Sequence, residues 1–132
     1  MSWIGKSVWC LTIIVALGGC KKEPPPTALS VCAQLEAAGV ATNCRDKAPK
    51  GLGADALEAA DFDLKSPEGK TGQVLSFRNQ EDLDDTVKDF KKMKVLAGRH
   101  RYKAKSALIF VQLNEGASTS AGRITEELLG KM

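Results

Sequence analysis

A single histidine, a single tyrosine and no C-x-x-C pair in 132 residues leave little material for the commonest catalytic and metal chemistries. A structural zinc site draws four closely spaced Cys or His ligands, and His100 is the only imidazole available. No G-x-S-x-G elbow exists, so the usual hydrolase nucleophile is missing. Gly69-Lys70-Thr71 lacks the rest of a phosphate-binding loop, because Leu64 stands where its first glycine belongs. Gly51-Leu52-Gly53 has no third glycine at the required offset and no predicted strand before it, so it reads as loop. The net charge of +3 is too mild to argue for nucleic acid. No apolar run reaches the roughly 20 residues that span a bilayer as a helix.

The longest apolar run, Val8 to Leu17, is about half that length. It follows Lys6, the only charge before residue 21, and gives way to Gly18-Gly19-Cys20 and then Lys21-Lys22-Glu23. That arrangement reads as an export signal rather than an anchor helix. Two cleavage patterns fit. Ala16-Leu17-Gly18 matches an ordinary secretory site, while Leu17-Gly18-Gly19-Cys20 places a bulky aliphatic and two small residues ahead of a cysteine. Cys10 offers no competing site, because bulky Trp9 precedes it.

The second pattern resembles the lipobox of bacterial lipoprotein precursors. The resemblance implies removal of residues 1–19 and acylation of Cys20, which becomes the membrane-lipid attachment point. One acyl chain anchors marginally, and two or three anchor stably. Lys21, where the family's inner-membrane retention signal would place Asp, implies the outer membrane with the domain facing the periplasm. The remainder of the chain is similar in general character to small α+β lipoproteins of Gram-negative envelopes, a likeness that transfers no functional residues.

Cys32 and Cys44 are then the remaining pair, and in an oxidising compartment they are expected to form a disulfide. Residues 20–27 form a tether whose three prolines favour polyproline II, a spacer of roughly 20 Å. Residues 28–132 are read as one α+β domain. Helices are predicted at 28–38, 80–96 and from Thr119 or Ser120 to Gly130. The second is capped by Asn79 and lined by Leu83, Val87, Phe90 and Met93 or Lys94, and the third turns Ile124 and Leu128 inward. Strands are predicted at 58–64, 72–78, 99–102 and 106–113, and the last, nearly all apolar, belongs inside the sheet. Residues 43–54 read as loop. The expected architecture is a two-layer α+β domain with three helices, a mostly antiparallel sheet of about four strands and one disulfide.

Three groups of residues invite a functional reading. From residue 91 to 105 there are seven basic residues and no acid: Lys91, Lys92, Lys94, Arg99, Arg101, Lys103 and Lys105. They form a candidate patch for an anionic envelope component or an acidic protein. The simpler reading is helix-dipole complementation followed by a lysine-guarded edge strand. Asp61 and Asp63 share a strand face and admit a hydrolytic or Ca²⁺ role, with a solvated face as the simpler reading. His100 between two arginines reads as a surface histidine. The functional expectation is a lipid-anchored, non-enzymatic binding or structural module with no cofactor, no metal and no catalytic residue. A small periplasmic hydrolase using Asp61, Asp63 or His100 is one alternative. An inhibitor of a secreted enzyme, presenting the acidic stretch Glu81–Asp85, is the other.

Overall fold

A computed structural model of the chain describes residues 24–93 and 100–132. The proposed signal, Cys20, the end of the predicted 80–96 helix, Lys94 and Arg99 lie outside the described residues. The elements are α1 (Ala28–Ala37), β1 (Ala41–Lys47), a 3-10 turn (Gly51–Gly53), β2 (Glu58–Leu64), β3 (Thr71–Ser76), α2 (Gln80–Lys92), β4 (His100–Lys103), β5 (Ile109–Leu113) and α3 (Thr119–Gly130).

Local chemistry sets the helix ends. Thr27 Oγ1 accepts the Ser30 N–H at 3.0 Å, and Ser30 Oγ accepts the Thr27 N–H at 2.8 Å, a reciprocal capping box. At the other end Val40 N–H reaches back to Leu35 O and Gly39 N–H to Glu36 O, with Gly39 at φ +86°. That is a Schellman stop, and it needs a residue at ease in left-handed backbone. Asn79 caps α2 by accepting the Asp82 N–H at 2.8 Å. Ser118, one residue ahead of the predicted pair, caps α3 through the Ala121 N–H at 3.0 Å.

The sheet has five antiparallel strands in the order β1-β2-β3-β5-β4, one more than predicted. The additional strand is β1, which occupies part of the predicted 43–54 loop. Its sequence, ATNCRDK, carries little β propensity. It bulges between Thr42 and Arg45, with Asn43 at φ +59°. Cross-strand pairing with β2 and the Cys32–Cys44 disulfide to α1 hold it at the sheet edge. β1 also precedes Gly51–Gly53, but that turn connects two antiparallel strands and opens no helix. β5 is an interior strand, flanked by β3 and β4 and buried at every position.

Helices cover both faces, so the domain has three layers rather than two. α1 and α3 pack on one face, where Val31, Leu35 and Leu129 meet Phe62, Val74, Ile109, Val111 and Leu113. α2 packs on the other, where Leu83 and Phe90 meet Ala59, Leu75, Phe77 and Phe110. The ring centroids of Phe90 and Phe110 are 5.0 Å apart. Alternation along β5 divides its residues between the two cores. On α2 the buried stripe is Leu83, Thr86 and Phe90, with Val87 half-buried and Met93 exposed. On α3 the stripe is turned by one residue, to Ala121, Thr125 and Leu129, leaving Ile124 and Leu128 half-buried.

Pro24–Pro26 do not simply project from the domain. They line hollows against Ala107, Met132 and Leu57, and Pro26 is half-buried. Among the described residues no helix is long and apolar enough to cross a membrane.

Candidate functional site

The α2 core covers only part of its sheet face, and cross-strand register determines what borders it. Arg101 on β4 aligns with Gln112 on β5, Gln73 on β3 and Asp61 on β2; Lys103 aligns with Phe110, Leu75 and Ala59. Arg101 and Lys103 therefore emerge on the face that α2 covers, beside its C-terminal turn. Together with Lys91 from α2 they line a small hollow of about 170 Å³, floored by Val87 and Phe110. Among the described residues no carboxylate lines it.

Arg101 is tied to the helix end as well. Its Nη1 donates to Phe90 O at 3.1 Å, satisfying one of the carbonyls that a helix C-terminus leaves unpaired. Its Nε is buried without a hydrogen-bond partner among the described residues. Lys92 and Lys105 are exposed outside this hollow. Of the seven predicted basic residues, the structure thus brings Lys91, Arg101 and Lys103 together. One side chain, Arg101, thus both meets the helix C-terminus and borders the hollow.

The polar remainder of the same face holds the two aspartates. Asp61 pairs with Lys47 at 3.0 Å and Asp63 with Arg45 at 3.3 Å. Asn43 Nδ2 donates to Asp63 at 3.0 Å, and this bond, with Arg45 beside it, holds the Asp63 carboxyl below its ordinary range. Gln73 Nε2 donates to Gln112 Oε1 at 3.2 Å and Asn114 Nδ2 to Thr71 Oγ1 at 3.0 Å. This is a matched network on a solvated sheet face, with a shallow hollow of about 240 Å³ beside it. Among the described residues no group of three metal-ligating side chains gathers.

His100 lies on the opposite face, aligned with Leu113, Gly72 and Phe62. Asp61, Asp63 and His100 are therefore not assembled into one site. Instead His100 Nδ1 hydrogen-bonds the Tyr102 hydroxyl at 3.0 Å, in a cleft of about 450 Å³ bordered by α3 through Gly122, Arg123 and Glu126. A Cβ on Gly122 would collide with that hydroxyl and stand 3.0 Å from His100 Nδ1. Burial, with Glu126 nearby, pushes the Tyr102 phenol above its ordinary value. Sequence pattern alone does not reveal this pairing. His100 and Tyr102 are two apart on one strand face, which was visible, but the glycine that admits them lies on a distant helix. The acidic stretch Glu81–Asp85 sits on the first turns of α2, where Glu81, Asp84 and Asp85 are exposed.

Comparison with protein-family models, with characterised proteins and with solved structures finds no match. Function has to be argued from the site itself.

Proposed function

We propose that this protein is a bacterial envelope lipoprotein, anchored through acylated Cys20, whose domain works by binding an anionic partner rather than by catalysis. The observation that carries the binding role is the convergence of Lys91, Arg101 and Lys103, from two separate elements, on one hollow that no carboxylate lines among the described residues. Three cations sharing an apolar floor attract a phosphate or carboxylate group more strongly than the same charges spread over solvated loops. The anchor role is carried by the Leu17–Cys20 pattern, and localisation in the outer membrane, facing the periplasm, follows from Lys21.

Lys91 and Lys103 are both exposed, so reversing them leaves the core intact. Affinity capture of the acylated protein from its own membrane tests the proposal. The wild-type protein should retain an anionic envelope component in a salt-sensitive manner, and the Lys91→Glu, Lys103→Glu double variant should lose it. Equal capture by both, with unchanged salt dependence, would remove the basic hollow from the account.

A further inference from the structure

A further hollow belongs to none of the sites above. Leu57, Leu108 and Met132 face prolines 24–26 across an open groove of about 850 Å³. Leu57 is 49 % exposed, one of only three large apolar side chains so open among the described residues. A lone exposed leucine means little, but one bordering a proline-lined apolar groove forms a contiguous patch.

The polar groups of the groove are unequal. Ser76 Oγ donates to Glu58 Oε1 at 2.9 Å, and the same oxygen accepts the Ala28 N–H at 3.3 Å, so Glu58 is engaged within the fold. Among the described residues Arg78 is the only basic one lining the groove, and it is exposed and makes no ion pair there. On the other side of the prolines Lys131 borders a second hollow of about 530 Å³.

Chain length fixes what this face meets. Pro24 already lies along the domain, so only residues 21–23 separate it from Cys20. At about 3.5 Å per residue, the four steps from Cys20 to Pro24 reach at most ~14 Å. We infer that the Pro24–Leu57–Met132 face rests on the anionic bilayer surface that holds Cys20, with its apolar groove against the acyl–headgroup boundary and Arg78 and Lys131 on lipid phosphates. This combination of apolar contact and flanking cations is how proteins bind an anionic interface. The inference rests on the lipid-anchor reading.

The sequence supplies its own probe. Both tryptophans, Trp3 and Trp9, precede Cys20, so a chain beginning at Cys20 has none. Leu57→Trp then carries a single fluorophore in the groove. Glu68→Trp places one in the exposed β2–β3 turn, at the far end of the sheet. Each acylated protein is purified from its envelope and reconstituted in phosphatidylethanolamine–phosphatidylglycerol vesicles with brominated acyl chains. The Leu57→Trp emission should fall at least twofold relative to unbrominated vesicles, the Glu68→Trp emission should not, and adding Arg78→Glu should weaken the quenching. Vesicle-bound protein whose Leu57→Trp emission is quenched no more than that of Glu68→Trp would overturn the docking face alone. An intact mass that lacks the acyl groups would overturn the anchor, and the docking face with it.

Discussion

Two glycines and one tyrosine carry more of this fold than their size suggests. Gly72 aligns with Phe62 across β2 and β3, and a Cβ there would stand 2.5 Å from the Phe62 ring. Gly122 leaves room for the His100–Tyr102 pair in the same way. Gly72→Ala should destabilise the domain by about 1–3 kcal/mol, the usual cost of overpacking a core, as read from denaturant midpoints at constant slope. Tyr102 is the only tyrosine, so phenolate absorbance reports it without overlap from another residue of its kind. Its titration midpoint should lie above the ordinary value of about 10, and Glu126→Gln should lower it, since burial and then Glu126 raise it. Because the folded value is raised, the associated stability is fully present below the unfolded value and is lost as pH rises through the folded one. Asp63 has the opposite sign. Its lowered value gives a contribution present above the unfolded carboxylate value and lost as pH falls through the folded one. Asn43→Ala should reduce that acid sensitivity, measured as the difference in unfolding midpoint between neutral pH and pH ~2.

At the scale of elements, the disulfide matters most where sequence preference is weakest. β1 is a polar edge strand with a bulge, and Cys32–Cys44 closes a loop with a sequence separation of 12 around it. The chain-entropy model gives about 3 kcal/mol for such a loop. The Cys32→Ser, Cys44→Ser double variant should lose about that much, with amide exchange accelerating first in β1 and the C-terminal half of α1. Loss spread evenly over the sheet would contradict a local staple. This is also where the sequence was hardest to read. The helices and β5 were legible, because caps, the Gly39 stop and an unbroken apolar run are local signals. β1 was not, because Asn43, Asp46 and Lys47 become strand only through partners elsewhere in the chain. The third layer escaped for a related reason. The apolar stripe of α2 was evident, but which sheet face it covers depends on β5 entering between β3 and β4. Of the basic run, clustering was foreseeable and membership was not. Lys91, Arg101 and Lys103 meet because strand register and helix end coincide.

For the whole molecule, anchor, tether and domain form one argument. On the proposed reading the lipobox pattern makes Cys20 the acylated residue, and the prolines laid along the domain leave only a short reach between it and the fold. Held that close to a bilayer, the domain would turn one face toward lipid, and the hollow of Lys91, Arg101 and Lys103 would remain as the separate, proposed contact for an anionic partner. On the polar remainder of the α2 face, Lys47 pairs with Asp61, Arg45 with Asp63, and the glutamines of β3 and β5 with each other. All of this depends on what happens at Cys20. The most direct measurement is the intact mass of the protein isolated from its native membrane, with Cys20→Ser as the control. The wild-type chain should begin at Cys20 and carry acyl mass, and the Cys20→Ser protein should be unacylated and released from the membrane fraction. A wild-type chain that retains residues 1–19, or one cleaved after Gly18 and free of lipid, would contradict it.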